Sequence, residues 1–373
     1  MVEVIGAEGL KKTQVSAVTT ASFAFYGAGQ LLSGYLGDRF RPQRLMFFGL
    51  AVSSVCNFLL PAAAPDIALM TAIWALNGLA QAFMWPPMVR LMRDNLTREE
   101  YERAVPFIST ASALGTIVIY LACPVMISLS GWRTAMAAAG AAGAAVSLLW
   151  LGGAAKFSSG PAAVKDMEKP RDEEKAGAPF LPGVLMPVLL LTIAFQGMLR
   201  DGVSSWTPTY LSEAFSLQST VSILTSVALP VFHVLISLTT YRMLRLSRGR
   251  TMWLLSLYFL ADGALLSLCL TGSFPLTLFG LAMGNGVIHG TNALQTSYLP
   301  AYFPKKRASF YAGLLNAATY CGSALATWLF ALLSESLGWH GTVGVWCGIA
   351  LSGALLTALI RAAVRKKRTD ISI

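Results

Sequence analysis

Residues 182–211 read PGVLMPVLLLTIAFQGMLRDGVSSWTPTYL. From Pro182 to Leu199 the run is apolar, broken only by Thr192, Gln196 and Gly197, and Arg200 follows at its end. Such a run spans a hydrocarbon core about 30 Å thick when helical, because its backbone N–H and C=O groups then bond within the segment. Runs of the same kind recur at 14–35, 44–62, 67–89, 105–127, 133–152, 183–204, 217–240, 251–270, 274–297, 308–332 and 341–362. They make about eleven candidate spans. The 373 residues are 55% hydrophobic and only 12% charged, where a soluble domain carries about a quarter charged residues. Transmembrane strands would run only about ten residues with alternating polarity, so a barrel is excluded. The expected fold class is all-α, a polytopic membrane protein embedded in a lipid bilayer.

The formal net charge of +10 raises nucleic acid as a partner, but its placement excludes that class. Basic residues collect in alternate connections: Arg39, Arg41 and Arg44; Arg90, Arg93, Arg98 and Arg103; Lys156 to Lys175; Arg242 to Arg250; Lys305 to Arg307; and the tail from Arg361 to Arg368. The connections between them, at 61–66, 128–132, 205–216, 271–274 and 333–340, hold almost none. This is the alternation of the positive-inside rule. It places the basic loops and the C-terminus in the cytoplasm and the N-terminus outside, in a cell membrane. Cys56, Cys123, Cys269, Cys321 and Cys347 all lie in apolar segments without metal spacing and are expected as packing residues.

Residues 153–182 interrupt the apolar pattern with KFSSGPAAVKDMEKPRDEEKAGAPFLP and read as a solvated linker. They separate a first bundle, 1–152, of about five helices from a second, 183–373, of six. The two resemble each other at an offset of roughly 207 residues, the mark of an internal repeat. Arg44-Leu45-Met46 matches Arg250-Thr251-Met252, Gly131-Trp132 matches Gly338-Trp339, and Asn77 matches Asn285. In this register 14–35 aligns with 217–240, the second helix of its half. The first bundle is therefore expected to lack an opening helix, with a start site placed too late as the expected cause and a true eleven-helix chain as the alternative.

Gly34-Tyr-Leu-Gly-Asp38-Arg39-Phe-Arg-Pro42-Gln-Arg44 lies in the first basic connection. It resembles the signature loop of the major facilitator superfamily, in which Gly34 would allow close helix approach, Asp38 would cap a neighbouring helix N-terminus, and Arg39 and Arg44 would hold the loop at the cytoplasmic surface. Asn77-Gly-Leu-Ala-Gln81-Ala-Phe-Met-Trp85-Pro86-Pro87 and Arg200-Asp-Gly202-Val-Ser-Ser-Trp206-Thr-Pro208-Thr-Tyr210-Leu211 are similar to the fourth and seventh helices of its organophosphate:phosphate antiporter family. The resemblance implies a two-bundle fold of usually twelve helices. It also implies exchange of a sugar phosphate or glycerol phosphate against phosphate, with Arg200 as the seventh-helix arginine that grips the anion. The family's first-helix arginine has no counterpart in this sequence.

Arg200 stands out without the resemblance. A mid-membrane arginine costs about 2.5–3.5 kcal/mol on insertion scales and usually faces a cavity. Its planar fork suits phosphate; snorkelling outward or pairing with Asp201 is the alternative. Asn285, His289, Asn292 and Thr296, spaced by four, three and four, share one helix face. They can line a polar path or serve as interhelical hydrogen-bond glue. Tyr26/Gln30, Asn77/Gln81 and Asn316/Tyr320/Ser323 form shorter stripes, and Trp206 joins the candidate substrate residues. Asp262 is the clearest carboxylate within a span, and structural pairing is its expected role.

No Gly-x-Ser-x-Gly, His-Glu-x-x-His or phosphate-loop pattern occurs, so an enzyme is not expected, nor a cofactor or a metal. The expected function is alternating-access transport of a small anionic solute by a monomer. A proton-coupled carrier of another metabolite and a transport-inactive sensor are the alternatives.

Overall fold

The computed structural model describes residues 2–96, 98–154, 185–247, 250–295 and 308–371, without the side chains of 37–39, 89–90, 93–94, 98–99, 101–110, 237–238, 241, 244–245, 308–313 and 365–371. The described residues are helical, with no strand among them. The chain divides into two compact units, Glu3–Gly115 with Ala122–Lys175, and Ala176–Ile373 with Met1–Val2 and Thr116–Leu121. Residues 155–184, which take in most of the expected linker 153–182, lie outside the described residues.

The first unit contains α1 (Val2–Glu8), α2 (Lys12–Arg39), α3 (Pro42–Ala63), α4 (Ile67–Gln81), α5 (Trp85–Asn95) and α6 (Arg98–Ala154). Asp66 starts α4 by accepting the backbone N–H groups of Ala68 and Leu69 at 2.9 and 3.1 Å, two of the donors a helix start leaves unpaired. α6 takes in two expected spans, and Gly131 marks the break between them with φ +79°. That left-handed conformation costs glycine nothing. Val18, Leu60, Ala63 and Met70 form a small core.

The second unit contains α7 (Met186–Gly197), a π turn (Met198–Val203), α8 (Ser204–Ala214), α9 (Ser219–Thr225), α10 (Ala228–Leu246), α11 (Thr251–Ser267), a 3₁₀ turn (Leu268–Thr271), α12 (Phe274–Ala293), α13 (Ala308–Ser336) and α14 (Gly338–Ile371). Its core joins Leu189 and Ile193 to Leu254, Leu255, Val287, Leu315 and Ile360. The reading of 205–216 as an outer connection is corrected. Through Ala214 this stretch continues the helix, because Trp206, Tyr210 and Leu211 bury a face of it.

Eight stretches among the described residues are long and apolar enough to cross a membrane, the longest being Ala111–Ala154 with its break at Gly131. The expected spans 14–35 and 274–297 correspond to α2 and α12, which fall outside those eight. These two helices carry the Tyr26/Gln30 and Asn285/His289/Asn292 stripes, and the amides and imidazole lower their hydropathy. Large apolar side chains such as Val118, Leu129, Leu148 and Leu149 are exposed along α6, as a lipid-facing surface requires.

The repeat reappears in the packing. A Cβ added at Gly78 of α4 would stand 2.1 Å from the Ser22 carbonyl oxygen of α2, and one at Gly286 of α12 would stand 2.7 Å from the Phe232 carbonyl oxygen of α10. Equivalent helices thus touch backbone to backbone at equivalent glycines. Gly34, expected to permit such an approach, has no heavy atom of a described residue within 4 Å of a Cβ position. The approach falls at Gly78 instead, two helices further on.

Candidate functional site

The polar residues of the second unit converge on the π turn. A π turn closes i→i+5 bonds and leaves carbonyls off the regular ladder, and Pro208 removes a further donor from α8. Hydroxyls serve the local carbonyls: Ser204 Oγ donates to the Arg200 carbonyl at 2.5 Å and Thr207 Oγ1 to that of Val203 at 2.9 Å. Glycines let α13 close on the turn. A Cβ at Gly197 would stand 2.0 Å from the Thr319 carbonyl oxygen, and one at Gly322 would stand 2.0 Å from that of Ala194.

This crossing fixes the surroundings of Arg200, which is only 8% exposed. Its Nε and Nη2 donate to Asp201 Oδ1 and Oδ2 at 2.8 and 2.6 Å, a two-point ion pair. Nη1 donates to Asn292 Oδ1 at 3.0 Å, and the guanidinium carbon lies 5.4 Å from the Tyr320 ring centroid. Ser323 of α13 donates to Asp201 Oδ2 at 2.6 Å. Asn285 donates through Nδ2 to Ser204 Oγ at 2.7 Å, which continues the chain to the Arg200 carbonyl. His289 lies on the same α12 face, and its ring stacks on His233 of α10 with centroids 3.6 Å apart and planes at 16°. Gln196, one helical turn before Arg200, is fully buried, and its amide has no hydrogen-bond partner among the described residues.

Arg200, Asn285, His289, Asn292, Tyr320 and Ser323 are therefore brought to one place. Thr296 lies outside the described residues, and so do the side chains of Asp38 and Arg39. Trp206 is placed elsewhere. It is wholly buried, donates its indole N–H to the Thr327 carbonyl at 3.0 Å and packs near Trp339. In the first unit, Asn77 Oδ1 accepts from Ser53 Oγ at 2.7 Å and from Gln81 Nε2 at 3.2 Å. Gln30 is buried there and Tyr26 is half-buried, while Arg44 is exposed at the start of α3.

Sequence reasoning missed His233 and gave Asp201 no part beyond a partner for Arg200. The transfer-cost argument that singled out Arg200 applies equally to His233, set in the apolar run of 217–240. The Asp201–Ser323 bond had no such sign, since it joins residues far apart in sequence.

A model of the Major Facilitator Superfamily matches residues 2–284 and 241–372. The "Probable hexose phosphate transport protein" of Chlamydia trachomatis serovar D is 28% identical over 128 residues, which are 34% of this chain and 28% of that protein. The chain thus spans little more than a quarter of the length of this relative. The "Glycerol-3-phosphate transporter" of Haemophilus influenzae is 24% identical over 411 residues, covering 94% of this chain and 83% of that one. Among solved structures, a bacterial homologue of the human lysosomal transporter Spinster superposes with a TM-score of 0.72 at 15% identity, over 97% of this chain and 90% of that one.

Proposed function

The chain belongs to the major facilitator superfamily, and from that membership we propose that it is a secondary transporter of a small organic phosphate, exchanged against phosphate by alternating access. The observation that carries this reading is a buried arginine within a membrane span, ringed by amides, an imidazole and hydroxyls. A guanidinium offers five N–H donors in a fixed fork that fits phosphate oxygens, whereas Lys presents a point charge. Asn285, Asn292, His289 and Gln196 offer donors and acceptors of the kind a hydroxylated carbon skeleton needs. The hexose phosphate and glycerol 3-phosphate in the relatives' names have that chemistry. In this reading the protein sits in a cell membrane with its C-terminus in the cytoplasm, and its monomer is the working unit.

The test is counterflow. The protein is reconstituted into vesicles loaded with inorganic phosphate, and uptake of labelled glucose 6-phosphate and glycerol 3-phosphate is measured. The expected result is phosphate-dependent uptake that Arg200→Lys abolishes while the variant still inserts and folds. Uptake unchanged in that variant sinks the assignment of the site.

A further inference from the structure

Arg200 does not stand open to a solute. The edge of its guanidinium that presents Nε–H and one Nη–H in parallel is filled by both oxygens of Asp201, and Nη1 is engaged by Asn292. Asp201 is held in turn by Ser323 at 2.6 Å, across the crossing that Gly197 and Gly322 create. The side chains of Arg200 and Asp201 are 10% and 20% exposed, so the carboxylate is the more accessible of the two. As a pair they carry no net charge.

An anion entering this site meets an internal rival. If Asp201 stays ionised, two negative groups share one guanidinium in a poorly solvated place, where like charges disfavour each other's ionised form. A proton on Asp201 relieves the conflict: a neutral carboxyl releases the fork and can still bond to Ser323. We infer that Asp201 is a surrogate anion that occupies Arg200 when no solute is bound, and that anion binding is linked to uptake of one proton by Asp201. The inference rests on the reading of Arg200 as the anion site and adds a coupling ion to it.

Among the described residues, the charged and ionisable groups around Asp201 are few. Arg200 stands on its own turn and Tyr320 on α13, while α12 contributes His289 with His233 of α10 stacked on it. α7 carries no ionisable residue. In α8, Tyr210 bonds to the Cys269 carbonyl and Glu213 accepts from Trp339. Neither His340 nor Cys347 of α14 makes a hydrogen bond or ion pair with Asp201. His289 is therefore the group that competes for the role of proton carrier.

The test uses the full-length purified protein and inorganic phosphate. Calorimetry in buffers of different ionisation heat gives affinity and proton uptake together across pH 5.5–8.5. Comparison of variants cancels the titration of phosphate itself. The wild-type protein is expected to bind phosphate more weakly as pH rises and to take up about one proton more per phosphate than Asp201→Asn. Asp201→Asn is expected to bind roughly tenfold or more tightly at the alkaline end, with no dependence beyond that of phosphate. Ser323→Ala, which removes the donor that favours the carboxylate, should move the wild-type pH dependence to higher pH, so the idea survives a failure of Asp201→Asn to fold. His289→Gln should keep the proton uptake. Weaker binding in Asp201→Asn at every pH would reduce Asp201 to a positioning residue, and proton uptake lost only in His289→Gln would move the role to the imidazole. Either result overturns the inference and leaves the anion site standing. No phosphate binding by the wild-type protein at any pH would remove both.

Discussion

The indole N–H of Trp339 donates to Glu213 Oε2 at 2.7 Å, joining the start of α14 to the end of α8 across 126 residues of sequence. The first unit holds the same device: Trp132 donates to Glu8 Oε1 at 3.0 Å, with Arg133 as a further donor to that carboxylate. Each tryptophan follows a glycine with positive φ, Gly131 or Gly338, so equivalent helix ends are tied by equivalent bonds. Trp339→Phe keeps an aromatic ring beside Tyr210 and Trp346 but loses the bond. It should cost about 1–2 kcal/mol, since the acceptor is charged but solvent-exposed. Thermal unfolding in detergent measures it, and an unchanged midpoint would show that the bond contributes nothing.

The glycines of the second unit make a sharper contrast. Gly197→Ala and Gly322→Ala place a methyl group 2.0 Å from a rigid backbone oxygen. Each should destabilise by about 3 kcal/mol or fail to fold, the upper end for overpacking. Gly344→Ala and Gly348→Ala meet no heavy atom of a described residue within 4 Å and should be neutral in the same assay. Equal effects in the two groups would mean that the helix crossing is looser than described.

Trp206 separates structure from binding. Its indole N–H is spent on the Thr327 carbonyl in a fully buried place. Trp206→Phe should lower stability by about 1–2 kcal/mol through the loss of this buried bond, while KM for the solute stays within about twofold. A large rise in KM with unchanged stability would return Trp206 to the substrate residues.

Asn292 and Asn285 stand at different removes from the Arg200 guanidinium. Asn292 bonds to the guanidinium directly, whereas Asn285 acts through Ser204 on the backbone of the turn. Asn292→Ala should raise KM roughly tenfold, the cost of one charge-assisted bond. Asn285→Ala should change KM less and lower stability more. Counterflow and unfolding measured on both variants check the ordering, and the reverse order would refute it.

The membrane-spanning, all-helical character of the chain was legible because insertion is a transfer property that accumulates locally, over about twenty residues. α2 and α12 show the limit of that reading, since their polar stripes keep these helices out of the eight apolar stretches. The stripe of α12 was legible too, because the spacing of Asn285, His289 and Asn292 fixes a common face. What the stripe faces was not legible. Burial of residues 205–214 against the unit likewise escaped the sequence, since the polar letters Ser, Thr and Glu mask the Trp206/Tyr210/Leu211 face.

Residue order alone makes this a repeated, helical membrane protein with an arginine it must shelter, since the cost of Arg200 in a span follows from the residue and its apolar neighbours. How that shelter is made follows from the folded packing and not from residue order. Hydrogen-bond partners depend on where helices cross, and here two glycines bring α13 onto the π turn until Ser323 reaches Asp201. The neighbour that sequence reasoning could treat only as a partner for Arg200 is, in the folded chain, bonded to Arg200 and Ser323 together.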